Sequence, residues 1–168
     1  KPLHFSGMVT QPPASVIRFF VPETTMSVTA PGRVVTAGAA GAVLIGVTVL
    51  TGWITGIDAL KRVLPGFIAM IPNTAACFVC GGVALWILRH ERRSRRASTV
   101  ALALALVVLV VGFLTLLERV FGIYFGIDLL LFPDEVRRYP YLPPGQMASN
   151  STVAFTAAGI ALLLLQRD

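Results

Sequence analysis

Residues 97–117, ASTVALALALVVLVVGFLTLL, contain no charged side chain, and neither do residues 34–54, VVTAGAAGAVLIGVTVLTGWI. Each run is as long as the roughly 20 apolar residues that cross the hydrocarbon core of a bilayer. The whole chain of 168 residues is 55% hydrophobic and only 13% charged, whereas soluble domains are about 45–50% apolar even when glycine is counted. The sequence therefore predicts an integral membrane protein.

Two shorter apolar runs, residues 67–88 and 147–165, predict two further membrane helices. We therefore expect an all-α fold, a bundle of four transmembrane helices that follows a tail at residues 1–33. Small residues recur at every fourth position of the first run, at Gly38, Ala42 and Gly46. Such spacing lets a neighbouring backbone approach closely, which favours a compact bundle.

An internal repeat sets the predicted architecture. Residues 70–78, MIPNTAACF, align with residues 147–155, MASNSTVAF, and residues 52–60, GWITGIDAL, align with residues 122–130, GIYFGIDLL. The second copy has seven more residues between these two segments. The domain organisation is then two helical hairpins, residues 34–88 and 97–168, joined by a short loop at residues 89–96. Both hairpins start on the same side of the membrane, unlike the inverted repeats of many transporters.

The joining loop, RHERRSRR, orients the chain. It has five arginines against one glutamate, so the positive-inside rule places it in the cytoplasm. The arginines are Arg89, Arg92, Arg93, Arg95 and Arg96. Both termini are then also cytoplasmic, in a bacterial inner membrane, and the arginines can attract anionic lipid. Topology accounts for the net charge of +6, so a nucleic-acid partner is not expected.

Four polar residues at equivalent repeat positions are candidates for an outer site. Asp58 and Asp128 end the two Gly-Ile-Asp segments, and the symmetry would bring them near one another, either as a ligand or cation site or as turn and cap residues. Asn73 and Asn150 lie where the second helix of each hairpin begins. A side-chain oxygen there can accept a hydrogen bond from a free first-turn N–H, so a capping role is expected. Trp53, Tyr124, Tyr139 and Tyr141 fit an outer aromatic belt.

We expect no catalytic, cofactor or metal site. Cys77 and Cys80 form a C-x-x-C, but their repeat equivalents are Ala154 and Ala157, which favours a packing role. A zinc site or an electron relay would need more ligands or a second cysteine pair. The two histidines lie outside the apolar runs, so a haem held by two histidines inside the bundle is not expected. No ionisable residue falls in the centre of a run, and such residues are the usual sign of an ion pathway, so an ion pathway is not expected either.

The order of these short motifs resembles the N-terminal membrane region of bacterial sensor histidine kinases and related signalling proteins. The resemblance covers residues 35–165. It rests on residues 64–66 (LPG), Met70, residues 72–75 (PNTA), Phe78, Gly82, residues 114–118 (LTLLE), residues 126–128 (GID), Met147, Asn150, Phe155 and Gly159. It implies a non-catalytic role in signal input or anchoring, with any kinase activity in a downstream module.

Two other functions stay open at this stage. The 168 residues contain no phosphoacceptor histidine motif and no nucleotide-binding segment, so the bundle could also be an accessory or scaffold subunit of a larger assembly, such as a photosynthetic or respiratory complex. A small transporter is the third alternative. In each case other membrane subunits or a second copy of the chain are the expected partners.

Overall fold

The computed structural model describes residues 31–62, 68–90, 93–139 and 146–167. These residues are helical or irregular, with no strand among them, which confirms the all-helical prediction. Most of the N-terminal tail, Arg92 and Tyr141 lie outside the described residues.

Four long helices and three short helical segments make up the described structure. In chain order they are α1 (Pro31–Thr55), α2 (Asp58–Lys61), α3 (Pro72–Leu88), α4 (Arg95–Phe121), a 3₁₀ turn (Ile127–Leu129), α5 (Pro133–Arg137) and α6 (Ser149–Leu165).

Local chemistry explains where the helices begin and end. The Ser94 side chain accepts a hydrogen bond from the Ala97 N–H at the start of α4, and Gly122 ends that helix in the left-handed conformation, with φ of 66°. Helix α3 begins at Pro72 and not at residue 67, because Pro72 occupies the first turn, where its missing N–H costs nothing, and Ile71 before it is extended. Helix α4 extends past its predicted end to include Glu118 and Arg119.

Within the described residues, two helices are long and apolar enough to cross a membrane, judged by length and composition. They are Gly32–Thr55 of α1 and Arg95–Phe121, which is α4, and α3 and α6 are shorter apolar helices of 17 residues each. Only 17% of the most apolar window of α1 and 28% of that of α4 are buried. Most residues of these two windows are therefore not fully buried within the described structure.

The helices pack in two pairs, α1 with α3 and α4 with α6, and α3 joins the pairs by contacting both α4 and α6. The interior consists of three apolar clusters. Their buried members are Val49, Trp53, Ala75 and Val136 in one, Cys77, Val108, Met147 and Phe155 in another, and Ala84, Leu88, Ala101, Ala105 and Leu162 in the third.

Glycines allow the closest approach within each pair. A Cβ at Gly82 would lie 2.8 Å from the Ala39 carbonyl oxygen, and a Cβ at Gly159 would lie 2.6 Å from the Leu109 Cα. Gly82 and Gly159 are related by the same offset as residues 70–78 and 147–155, and Ala39 and Leu109, outside the aligned segments, are related by the same offset as residues 52–60 and 122–130. Each helix pair crosses by close contact between backbones.

The predicted small-residue stripe of α1 is used only in part. Ala42 contacts the Gly82 position, and a Cβ at Gly46 would lie 2.6 Å from the Ala75 carbonyl oxygen. A Cβ at Gly38 would meet nothing within 4 Å. Gly38 therefore does not serve contact between the helices that the structure describes.

One end of the bundle carries the arginines, and we call it the basic end. Arg89 at the end of α3 donates to the Thr36 hydroxyl of α1, and Arg93 before α4 donates to the Gln166 carbonyl after α6, at 3.2 Å. Gln166 in turn donates to the Ser98 carbonyl of α4, at 3.1 Å. All four long helices therefore have a terminus at the basic end.

Candidate functional site

The opposite end of the bundle, which we call the loop end, contains the polar and charged side chains of α2, the 3₁₀ turn and α5. It has two separate polar groups. One surrounds Lys61, and the other is a pair of buried carboxylates.

The lysine cluster consists of Trp53, Asp58, Lys61 and Tyr139. Lys61 Nζ donates to Asp58 Oδ1 at 2.9 Å and to the Tyr139 hydroxyl at 3.1 Å, and that hydroxyl donates to Asp58 Oδ1 at 2.6 Å. The ammonium also lies 4.7 Å from the centre of the Trp53 ring and 5.3 Å from that of Tyr139, within range of a cation–π interaction. The Lys61 side chain is 6% exposed, whereas that of Asp58 is 67% exposed.

The contacts of the lysine cluster keep its two charges ionised. The hydrogen bonds from Tyr139 and Lys61, together with the charge of Lys61, lower the pKa of Asp58. Burial works against the charged form of Lys61, but the hydrogen bonds to Asp58 and Tyr139 outweigh it and raise the pKa of the amine. The cluster is therefore a stable ion pair over the neutral range.

The lysine cluster ties the first helix pair to the second. Tyr139 follows α5 and stands 78 residues from Lys61 in the chain. Trp53 donates from Nε1 to the Met70 carbonyl at 2.8 Å and stacks on Phe132, with ring centres 6.4 Å apart. Phe132 adopts a left-handed backbone conformation with φ of 52°. This conformation is strained for a bulky residue.

The second group is the carboxylate pair, Glu118 near the end of α4 and Asp128 in the 3₁₀ turn. Glu118 is 2% exposed and Asp128 is 0% exposed. Glu118 Oε1 accepts a hydrogen bond from the Phe125 N–H at 2.6 Å. Among the described residues, neither Glu118 Oε2 nor either oxygen of Asp128 has a hydrogen-bond partner. Three carboxylate oxygens are thus buried together without a donor.

The surroundings of the carboxylate pair disfavour two negative charges. Burial and the nearby Glu118 carboxylate raise the pKa of Asp128 to about 7, against a smaller opposing effect of Asn73 and Arg119. The Arg119 guanidinium is bonded elsewhere, to Gln146 Oε1 at 3.1 Å and to the Met147 carbonyl at 2.8 Å. Asp128 therefore changes its protonation near neutral pH.

A cavity of about 390 Å³ opens beside Glu118 at the loop end. Its lining residues are Glu118, Arg119, Gly122, Ile123, Tyr124 and Gln146. Glu118 is the member of the carboxylate pair that borders this cavity.

The structure does not pair Asp58 with Asp128, contrary to the expectation from the repeat. Asp58 is exposed in the lysine cluster, and Asp128 is buried beside Glu118. The physical reason is the longer second loop. Its extra residues form α5 and place the Tyr139 hydroxyl within hydrogen-bonding distance of Asp58. The aspartates of the two Gly-Ile-Asp segments therefore have different neighbours.

The capping role expected for Asn73 is wrong. The residue before α3 is Ile71, with no side-chain cap, and Asn73 instead donates from Nδ2 to the Ile127 carbonyl at 2.8 Å, joining α3 to the 3₁₀ turn. Asn150 does accept a first-turn hydrogen bond, from the Ser151 N–H at 3.0 Å, although the cap position of α6 is Ala148. The equivalent asparagines thus have different roles.

Lys61 and Glu118 have roles at the loop end that the sequence did not predict, and Tyr139, expected in the aromatic belt, belongs to the lysine cluster. Lys61 lies next to Arg62 and Glu118 next to Arg119, each close to an apolar run. Such an ionisable pair is the signal that could have pointed to these positions.

Of the residues expected in an outer aromatic belt, Tyr124 is exposed, whereas Trp53 is buried in the lysine cluster. The belt itself stays a prediction.

The cysteines lie inside α3. Both are free thiols, Cys77 buried and Cys80 half-buried, in the cluster that contains Val108 and Phe155. The described part of the chain holds no group of three or more histidine, cysteine or carboxylate side chains that could bind a metal ion.

A second cavity, almost wholly apolar, lies along the middle of the helices. It has a volume of about 310 Å³ and is bordered by small residues of α1, α3 and α6, among them Gly38, Ala42, Gly81 and Ala158. The unused Gly38 of the small-residue stripe therefore faces a groove.

Comparison with known proteins adds no relative, since no protein-family model, no curated protein and no solved structure matches this chain.

Proposed function

We propose that the chain is a four-helix membrane bundle, built from two tandem hairpins, that serves as the non-catalytic sensor and anchor region of a bacterial signalling protein of the histidine-kinase type. The observation that carries the proposal is the contrast between the two ends. The loop end is a folded polar cap that joins both helix pairs, and the basic end gathers the termini of all four long helices.

The outward-facing apolar surface supports the membrane location. Large side chains of α4 such as Val110 and Phe113 are 49% and 46% exposed, and Leu44 and Ile54 of α1 are 68% and 72% exposed. An apolar surface this continuous is unfavourable in water, and lipid is the solvent that removes the cost. Helices α3 and α6 are somewhat short for a straight span but fit a locally thin bilayer.

The equivalent glycine crossings support the tandem repeat. Gly82 meets Ala39 and Gly159 meets Leu109, and both the sequence alignment and the contact geometry relate these pairs. Two hairpins that pack alike internally are what a duplication of one helical hairpin would leave.

The contacts between the two helix pairs at the loop end support a role in signal input. Lys61 and Asn73 from the first pair bond to Tyr139 and Ile127 from the second. A change in these contacts at the loop end would shift one pair relative to the other. Rigid helices would then carry the displacement to α6 at the basic end, where a cytoplasmic module could respond.

The experiment that tests the signalling proposal is to read the coding sequence beyond Asp168. We expect it to continue in frame through a helical linker into a phosphoacceptor and nucleotide-binding module. Autophosphorylation of that protein should then change when Lys61→Met disrupts the lysine cluster. It should not change with Asp134→Asn, a substitution at an exposed position of α5. An in-frame stop, or autophosphorylation indifferent to Lys61→Met, would contradict the proposal.

One observation favours the accessory-subunit alternative, the apolar groove beside Gly38 and Ala158. A groove lined by small residues is the kind of surface on which a further transmembrane helix packs. Stoichiometric co-purification with a larger membrane complex, abolished by Gly38→Leu but retained with Leu44→Ala on the exposed face of α1, would establish that role instead.

A further inference from the structure

The carboxylate pair is the largest unsatisfied polar feature of the described structure. Glu118 Oε2, Asp128 Oδ1 and Asp128 Oδ2 are all buried without a hydrogen-bond partner among the described residues. A buried acceptor without a donor is costly, and two adjacent ionised carboxylates in a low-dielectric setting are more costly still. Something must compensate at this site.

The groups that face the pair supply only part of the compensation, since Asn73 and the charge of Arg119 lower the pKa of Asp128 by less than burial and Glu118 raise it. From α4, Arg119 is bonded to Gln146 and to the Met147 carbonyl, and from α3, the Asn73 amide is bonded to the Ile127 carbonyl. The Phe125 N–H serves the other oxygen of Glu118.

Two further groups act at longer range. Tyr124 interacts electrostatically with both carboxylates and with Arg137, and it is 47% exposed. Neither it nor Arg137 bonds to the three open oxygens. Protonation of one carboxylate would therefore supply the hydrogen-bond donor that these oxygens lack.

We propose that Glu118 and Asp128 form a proton-binding site at the loop end, in which one proton is shared between the two carboxylates. Asp128 carries the proton, and its O–H donates to Glu118 Oε2. Uptake transfers a proton from an oxonium ion in the adjoining solution to the Asp128 carboxylate, leaving water and the neutral acid. Release is the reverse, and no other reactant takes part.

This arrangement satisfies the geometry. One shared proton gives a donor to Glu118 Oε2, removes one of the two buried charges and leaves a neutral acid in the most buried position. The pKa of Asp128, raised to about 7 by burial and by Glu118, agrees with a site that fills and empties near neutral pH. The cavity beside Glu118 is the path to the solution.

Proton release would loosen the 3₁₀ turn. With both carboxylates ionised, like charges face each other between α4 and the turn, and repulsion favours their separation. The turn also accepts the hydrogen bond from Asn73 of α3, so its movement would reach the first helix pair. The site itself requires no attached kinase, and its test is independent of the signalling proposal.

The test is a pH titration of the full chain in lipid nanodiscs, followed by infrared difference spectroscopy of the carbonyl stretch of protonated carboxylic acids. We expect one carboxyl group that gains its proton near neutral pH. The signal should disappear in Asp128→Asn and lose or shift its titration in Glu118→Gln. It should be unchanged in Asp134→Asn, an exposed acid on α5.

Two outcomes would overturn the proposal. In the first, all carboxyl groups of the wild-type chain titrate together in the acid range, a result that needs no variant to fold. In the second, the neutral titration moves to lower pH on addition of millimolar Mg²⁺ or Ca²⁺, which would identify a cation site in place of a proton site. Far-UV circular dichroism of each variant distinguishes a lost proton site from a lost fold.

Discussion

Two aspartates in the same three-residue segment, Gly-Ile-Asp, have opposite environments in this chain. Asp58 is exposed and held ionised by Lys61 and Tyr139, whereas Asp128 is buried beside Glu118 and holds its proton to about pH 7. The segment determines the local turn in both copies, and the surrounding residues determine the protonation state of each aspartate. Those surroundings depend on contacts between residues far apart in sequence, which the local pattern does not encode.

The Tyr139 hydroxyl is central to the lysine cluster, because it bonds to both charged residues. Tyr139→Phe keeps the ring over Lys61 but removes both hydrogen bonds, so we expect the free energy of unfolding to fall by about 1–3 kcal/mol. Reversible unfolding in mixed detergent micelles measures the change. Tyr124→Phe, an exposed tyrosine of the same loop, is the matched control and should cost less than about 0.5 kcal/mol. Equal effects of the two substitutions would contradict the role of Tyr139.

Asp128 should make the stability of the bundle depend on pH. Its pKa is about 7 in the folded chain against an ordinary value of 3.8, so the folded state holds a proton that the unfolded state has released. Its stabilising contribution is full below pH 3.8 and is lost as the pH rises to about 7, by at most about 4 kcal/mol.

Asp128→Asn removes this dependence. We expect the variant to be more stable than the wild type at pH 8 and to approach it near pH 4, measured by unfolding in micelles across that range. Parallel pH profiles for the two proteins would show that Asp128 is ionised or solvated in the folded state, contrary to the structure.

At the scale of the helices, apolar runs predict the number and approximate position of the long elements well. The apolar runs do not give the helix ends, because these depend on single residues such as Ser94 before α4 and Pro72 in the first turn of α3. The short α5 has no apolar period of its own and exists because Val136 packs with Trp53 and Val49. Its effect on the candidate site could not be deduced from the sequence pattern.

The close crossing of α4 and α6 gives a prediction about helix packing. A Cβ at Gly159 would lie 2.6 Å from the Leu109 Cα and 2.8 Å from its nitrogen, so backbone must move to admit it. We expect Gly159→Ala to lower the free energy of unfolding by about 1–3 kcal/mol.

Gly41→Ala is the matched control for that substitution. A Cβ there meets nothing within 4 Å, so alanine should be neutral or should stabilise α1 by up to about 1 kcal/mol. Unfolding in micelles measures both variants. If Gly159→Ala were as well tolerated as Gly41→Ala, the pair would not cross as closely as the structure has it.

At the scale of the whole molecule, charge and apolar surface divide the bundle into three zones. The basic end carries arginines such as Arg89 and Arg93, the middle presents apolar side chains, and the loop end carries the lysine cluster and the carboxylate pair. The first two zones can be predicted from hydropathy and from the distribution of arginine. The third could not, since its two groups assemble from four separate segments of the chain.

We propose that this bundle crosses a membrane with its basic end in the cytoplasm and its loop end outside. The most direct test is labelling of single cysteines in intact cells with a membrane-impermeant maleimide. The background is Cys77→Ala with Cys80→Ala, changes that introduce the residue found at both equivalent repeat positions. We predict that Asp134→Cys at the loop end is labelled in intact cells and that Ser94→Cys at the basic end is labelled only after lysis. Labelling of both positions from the same side, or of Ser94→Cys alone in intact cells, would contradict the account.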